Sequence, residues 1–471
     1  MNQYITTIGM EVHLQLNTRS KLFCNCSAQF GDDPNTNICP ICMGMPGTMP
    51  VINRNAVRKA VKAALALGCS INMKSGFARK NYFYPDLPKG YQITQFKYPI
   101  AENGSITLDS GRRIRIRRLH IEEDSGKLIH DIDRDTLVDF NRAGVGLIEI
   151  VTEPDIKSSA DAVEYLKKLR RIIRYCGVSD ANMEKGQMRA EPNISIRQNQ
   201  SDELGTKTEI KNLNSFKAVS FGIEAEVRRQ SAMKKSGKDI ISETLLYNEK
   251  QQSVQPMRKK ETAGDYRYFP EPDLPSLILT DRFAEDIRKG LPEMPQDKKE
   301  RLSQAYDLKY DIAEILVSDI QLADFFEESM KGISNKKRSI NFFVKEIPAI
   351  LNKEGIDIMQ IGFSPQQFNS LLLMIEAKKI NLNAAGTVLR RMYDTGKEPR
   401  VIVSEMGLEQ TSDSSEIEDL IDTVIEKNPG EVKRYRDGER KLFGFFVGQV
   451  MRESRGKADP HIVNEILKKK L

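Results

Sequence analysis

Leu147-Ile148-Glu149-Ile150-Val151 is an apolar, β-branched run with one carboxylate at its centre. Bounded by Gly146 and Pro154, it reads as a buried strand. An isolated ionised carboxylate in such a strand costs on the order of several kcal/mol unless something pairs with it. The arrangement recurs upstream. In Met10-Glu11-Val12-His13-Leu14-Gln15-Leu16, strict alternation puts Glu11, His13 and Gln15 on one face and Met10, Val12, Leu14 and Leu16 on the other. A sheet with carboxylates and an imidazole on one side and core on the other is a platform for Mg²⁺ and phosphate.

Three further stretches share this character. Leu119-His120-Ile121-Glu122-Glu123-Asp124-Ser125-Gly126-Lys127 reads as a strand running into a turn. Glu191, Asn193, Ser195 and Arg197 alternate with Ile194 and Ile196, and Lys207, Glu209 and Lys211 share one face of a short strand. Any one of these strands is explained by a solvated polar face. Together they point to a metal–nucleotide site, because carboxylates sharing a cleft repel one another unless cations bridge them.

The chain has 471 residues, which suggests about three domains. It is 39% hydrophobic and 29% charged with a net charge of +6, an ordinary globular balance. No apolar run approaches the roughly 18 residues of a membrane span, and the Met1-Asn2-Gln3-Tyr4 start lacks the basic and apolar regions of a secretion signal. Six cysteines, four of them between Cys24 and Cys42, do not form a secreted disulfide framework, so a reducing cytoplasm is the expected setting. Cys24-x-Cys26 followed by Cys39-x-x-Cys42 predicts a tetrahedral Zn²⁺ site with all positions filled, hence structural. Cys69 and Cys176 fall on apolar helical faces and read as packing residues.

The character changes near residue 290. Before it, strands are mixed with helices expected from about Asn55 to Leu67, from Ser159 to Cys176, and from Ser215 to before Gly237. After Pro292 the pattern is almost all helical, with a linker expected at Thr411 to Glu418 and Asp459 expected to cap a last helix. The predicted division is 1–292, 293–408 and 409–471. There is no G-x-x-x-x-G-K-[ST], no G-x-G-x-x-G, no H-E-x-x-H and no Gly-Gly, which excludes a P-loop and a Gly/Ser-rich amidase loop. Basic and aromatic residues interleave from Arg79 through Lys80, Tyr82, Lys89 and Tyr91 to Gln92, and again at Tyr266-Arg267-Tyr268-Phe269, a composition suited to bases and phosphates. Arg112 to Arg118 reads as a separate strand with a basic face, either solvated or tracking a nucleic-acid backbone.

These stretches, with Leu137-Val138-Asp139-Phe140-Asn141-Arg142, Leu147 to Asp155, Lys207 to Ser215 and Asp265 to Asp273, closely resemble the GatB family, the tRNA-binding subunits of the aspartyl/glutamyl-tRNA amidotransferases, over essentially the whole chain. Gly444 to Met451 is similar to that family's YqeY-like tail. The resemblance implies an α+β chain: a cradle domain with a largely antiparallel, glutamine-synthetase-like sheet, then all-α helical and tail domains. It implies ATP- and Mg²⁺-dependent phosphorylation of the side-chain carboxylate on misacylated Glu-tRNA(Gln) and/or Asp-tRNA(Asn). Ammonia would come from a separate glutaminase subunit, and a small third subunit would brace the two. The family's metal ligands then fall on Glu11, His13, Glu123 and Glu149, with Glu191 and Glu209 nearby; Glu122 competes with Glu123, since strand parity does not decide between them. Arg79, Lys80, Tyr82, Lys89, Tyr91, Lys207, Lys211 and Arg267 are the expected substrate and phosphate contacts. The four cysteines are not universal in the family, so zinc rests on this chain's own residues. Two other readings fit fewer features: a free-standing ATP-dependent carboxylate–amine ligase, and a non-enzymatic zinc and RNA-binding protein.

Overall fold

A computed structural model describes residues 4–132, 135–199, 201–259, 264–409, 414–454, 458 and 460–471. The chain divides after Pro295 into two compact units. The first is built on a 12-stranded sheet. Its main path runs Ser253–Lys259, Glu243–Asn248, Thr208–Lys211, Met188–Arg197, Ile5–Gln15, Gly146–Thr152, Arg113–Glu123, Tyr91–Thr94, Ala78–Asn81, Phe269–Pro270. Neighbours are antiparallel except Thr208–Lys211 against Glu243–Asn248.

Five of these strands carry the polar residues: β1 (Ile5–Gln15), β2 (Arg113–Glu123), β3 (Gly146–Thr152), β4 (Met188–Arg197) and β5 (Thr208–Lys211). Their inward positions, among them Met10, Val12, Leu14, Leu119, Ile121, Ile148, Ile150 and Ile194, are buried in one core with three helices. These are α1 (Arg54–Ala66), α2 (Ser159–Tyr175) and α3 (Phe216–Lys235), capped by the side chains of Asn53, Ser158 and Ser215. Apolar stripes such as Leu166, Leu169 and Ile173 on α2 join that core, which commits the sheet's other face to polar side chains.

The antiparallel register sets which polar groups meet. Glu11 lies opposite Glu191 of β4, His13 opposite Glu149 of β3 and Arg189 of β4, Glu149 opposite His120 of β2, and Asn193 opposite Glu209 of β5. The Arg112–Arg118 and Leu119–Glu123 segments, expected as two strands, form the single strand β2. Its pairing with β3 shifts register between Val151, opposite Arg118, and Thr152, opposite Ile116. Arg117 is thereby left between the two pairs, and Asn103 on the other neighbouring strand takes a positive φ at the same level.

Among the described residues the second unit is built of helices, the last ending at Lys470. One apolar cluster gathers residues from Leu302 to Val403, including Phe326, Phe343 and Phe368; another gathers Ile417 to Leu467 around Phe446. The linker expected at Thr411 to Glu418 is corrected at its far end, because a helix already begins at Ser414. The expected cap at Asp459 and the linker positions 411–413 lie outside the described residues. Among the described residues no helix is long and apolar enough to cross a membrane.

Candidate functional site

Two ligand-bearing clusters lie side by side on the polar face. In the first, His13 Nε2 is 3.4 Å from Glu122 and 3.5 Å from Glu149, and His120 Nε2 is 3.0 Å from Glu149 and 3.6 Å from Glu122. All four groups are largely withdrawn from water. Burial drags the His13 imidazole down, but Glu149, through charge and hydrogen bond, and then Glu122 and Glu191 outweigh it and raise it to about 9. Burial likewise opposes ionisation of Glu149, and the charges of His120 and His13 overcome it, holding the carboxyl well below its usual range. The Nδ1 atoms of both histidines are buried without a hydrogen-bond partner. His13, Glu122 and Glu149 can each offer one atom to a common cation.

The second cluster is Glu11, Glu191 and Glu209, again close enough to share a cation. Asn193 donates to Glu11 at 2.9 Å, Thr244 donates to Glu209 at 3.0 Å, and Lys211 sits 2.7 Å from Glu191. Burial pushes the Glu191 carboxyl up, yet Lys211 and then His13 bring it down to about 2. This all-oxygen donor set matches what Mg²⁺ takes, while the imidazole-containing set is softer. Of the four residues expected to form one metal set, Glu11 falls in this second position and His13 and Glu149 in the first.

Glu123 is the residue to correct. His120 and Glu122 point to the polar face with His13, whereas Glu123 follows Leu119 and Ile121 to the opposite side. There it pairs with Lys89 and accepts from the Ile93 amide at 2.8 Å. The structure therefore brings Glu122, not Glu123, to His13 and Glu149. Glu123 and Lys89 line a cavity of about 80 Å³ shared with Cys24, Cys42 and Gly144.

Cys24, Cys26, Cys39 and Cys42 converge with their sulfurs within 4.8 Å of one another. The Cys39 amide donates to Cys42 Sγ at 3.2 Å, and the ammonium of Lys21, fully buried, lies 3.6 Å from the same sulfur. A hydrogen bond from Cys24 leads the causes that bring the Cys42 thiol down to about 4, against burial and with help from Cys39 and Lys21. Gly144 lies beside Cys42 and the Lys21 stem, and its φ of +86° is a conformation that favours glycine.

The basic residues expected at phosphates are mostly engaged. Arg79 forms a two-toothed pair with Glu271, whose side chain is 0% exposed, reaches Asp273 at 3.1 Å, and lies 4.2 Å over the Tyr91 ring. Lys89 is committed to Glu123 and Lys211 to Glu191. Arg115 and Arg117 are paired with Asp155 and Glu153 at 2.8 Å, so the basic face of β2 is largely neutralised. Lys80 lies over Tyr266, which meets Tyr82 and Tyr268 edge-on; burial and then Glu122 raise the hydroxyls of Tyr82 and Tyr268, so these rings border the His13 cluster. Arg267 is exposed at a positive-φ turn position, and Lys207 is exposed just ahead of β5. Arg79→Met is expected to destabilise the first unit by about 3 kcal/mol, since it strands a buried carboxylate. Urea unfolding checks this; a phosphate-binding role would instead leave the midpoint in place and weaken nucleotide binding.

Residues the sequence reading passed over complete the face. Asp124 receives Gln15 and Arg189 at 3.0 Å each and Arg142 at 3.6 Å. Arg189 and Asp124 were signalled by alternation, in Arg189-x-Glu191-x-Asn193 and His120-x-Glu122-x-Asp124. Lys21 had no such signal.

With this geometry in place, comparison with known proteins is informative. Residues 6–285 match the family described as "GatB/GatE catalytic domain", and residues 324–471 match one described as "GatB domain". The chain is similar to the GatB subunit of the aspartyl/glutamyl-tRNA(Asn/Gln) amidotransferase from Thermodesulfovibrio yellowstonii, 49% identical over 99% of this chain and 98% of the relative. The protein of the same name in Persephonella marina is 48% identical over the full length of both, and that in Carboxydothermus hydrogenoformans is 46% identical over 100% and 99%.

Proposed function

Because this chain belongs to the GatB family of aspartyl/glutamyl-tRNA(Asn/Gln) amidotransferase subunits, we propose that it binds misacylated tRNA and activates the side-chain carboxylate of the attached Glu or Asp with ATP, in the cytoplasm where such tRNAs are made. One observation carries the reading: three carboxylates in one cluster, and two more with two imidazoles in the next, converge on a single sheet face. In phosphoryl transfer the substrate carboxylate oxygen attacks the γ-phosphorus and ADP leaves. Ammonia then attacks the acyl carbon and phosphate departs. Neither step needs a protein nucleophile; both need positioning and neutralised charge.

The residues present fit Mg²⁺. Glu11, Glu191 and Glu209 would hold one ion, and His13, Glu122 and Glu149 a second position, where the histidines' unsatisfied Nδ1 atoms mark an incompletely satisfied site. When bound, the cation neutralises the phosphate oxygens and the leaving ADP. The protein's own part is to hold the donors on a rigid sheet, with Asp124, Arg189 and Gln15 alongside. Lys80 and Arg267 remain the best placed basic groups for phosphate or tRNA. The four cysteines fit a structural Zn²⁺, all positions being thiolate. With no Gly/Ser-rich amidase loop, the chain takes its ammonia from a partner glutaminase, with a small third protein bracing the pair. Release of inorganic phosphate from ATP by the reconstituted complex, strictly dependent on Glu-tRNA(Gln) or Asp-tRNA(Asn), tests the reading; ATP turnover without charged tRNA overturns it, and the two tRNAs assayed separately identify the native substrate.

The tail from residue 409 is assigned to tRNA binding. It has an apolar cluster of its own, and Leu408 still packs with the preceding helices. A chain ending at Glu409 is expected to keep the first unit folded while binding tRNA at least about tenfold more weakly at matched salt. Equal affinity of the shortened and full-length proteins would give the tail another task.

A further inference from the structure

Lys21 is the structure's least expected cation. It is fully buried, among the largest side chains with no exposure at all. A buried ammonium needs an anion and hydrogen-bond acceptors. Among the described residues no carboxylate comes within ion-pair distance of it; its partners are Cys42 Sγ at 3.6 Å and the Phe140 carbonyl at 3.2 Å. Within that distance the anionic charge on offer is that of the cysteine cluster, the carboxylate of Glu123 across the shared cavity being paired with Lys89. A four-thiolate centre around a divalent ion carries net negative charge, which a buried ammonium offsets.

The second contact leads towards the polar face. Phe140 opens a turn closed by the Ala143 amide on the Phe140 carbonyl, so that one carbonyl accepts from both the turn and Lys21. The next residues are tied on both sides: the Gly144 amide donates to the Asp124 carbonyl, and the Leu22 amide donates to the Gly144 carbonyl. Arg142, inside the turn, donates to the Ser125 and Gly126 carbonyls and sits 3.6 Å from the Asp124 carboxylate. Asp124 in turn holds Gln15 and Arg189.

We propose that Lys21 is a positioning residue that sets how tightly the four-cysteine centre keeps its metal and couples that centre to the Phe140–Ala143 turn behind Asp124. The inference rests on the zinc reading above and goes beyond it, because it assigns the metal a mechanical link to the catalytic face. Outer-sphere partners of this kind typically change metal affinity by about 10- to 100-fold.

The test uses the full-length chain and zinc itself. Lys21→Met keeps the length and apolar stem and removes the charge. Competition with a chromophoric chelator is expected to show zinc held about 10- to 100-fold less tightly, and hydrogen exchange of amides 140–144 is expected to rise in the zinc-loaded variant to the level of zinc-stripped wild type. Wild-type zinc affinity and wild-type exchange in the variant would overturn the inference while leaving the zinc reading intact. A wild-type protein that holds no zinc with its thiols reduced would overturn both. Should the variant fail to fold, the wild type decides alone: stripping zinc must speed exchange at 140–144 while α2 stays protected, and unchanged exchange there refutes the coupling.

Discussion

Glu149→Gln is expected to leave the protein folded and able to bind tRNA, and to cut ATP-dependent amidation by at least about a hundredfold. The substitution keeps the volume of a side chain set in an apolar strand and keeps a hydrogen-bonding oxygen. It removes the charge that His120, at 3.0 Å, and His13, at 3.5 Å, now share. That charge is what a cation at this position needs, and Gln cannot supply it. The defect falls before amide transfer, so ammonium salts added in place of glutamine should not restore activity. A complex with a disabled glutaminase should be restored by the same addition, which makes the pair of assays diagnostic. Near-normal amidation by Glu149→Gln would reduce Glu149 to a structural partner of the two histidines.

Replacing Cys39 and Cys42 together by Ser is the second large effect expected. Structural zinc in small sites contributes on the order of 10 kcal/mol to local folding, and the loop it would hold has few alternatives. Residues 30–51 are mostly exposed, and their ties to the rest of the unit are short polar bonds. Asn35 donates to the Asp139 carboxylate and the Val138 carbonyl, and the Asn37 amide donates to Asn141. Metal analysis of the double variant should show no zinc, and hydrogen exchange should rise across the loop while the core strands of β1 and β3 stay protected. Stoichiometric zinc in the double variant, or none in the wild type, would refute the four-cysteine site.

Much of the polar face was legible because alternation is a local property. Glu11, His13, Glu149, Glu191 and Glu209 could be placed on one side of their strands from the neighbours two residues away. Which strands lie next to which was not local. Lys89 finds Glu123 across 34 positions and Arg79 finds Glu271 across 192, and those pairings convert expected phosphate ligands into structural ion pairs. Arg189 was lost for a different reason. The strand was read from Glu191 onward, across Pro192, whereas β4 already begins at Met188, so the alternating position Arg189 fell outside the stretch considered. The choice between Glu122 and Glu123 failed on parity itself. Counting from the buried Ile114 and Ile116 sends Glu122 inward, while counting from Leu119 and Ile121 sends Glu123 inward. Both counts are correct, each on its own side of the register shift at Arg117.

That shift makes β2 two half-strands running out of phase by one residue. Its heredity follows from the phase. Exchanging the Arg117 side chain alters one surface ion pair with Glu153, a loss worth at most about 1 kcal/mol. Deleting the position closes the shift against β3: Ile114, Ile116, Leu119 and Ile121 then alternate without a break and His120 and Glu122 keep the polar face, but Asn103 on the other neighbouring strand is left as the extra residue. For this segment, drift in letters is cheap, and a change in length must be matched by one on the neighbouring strand.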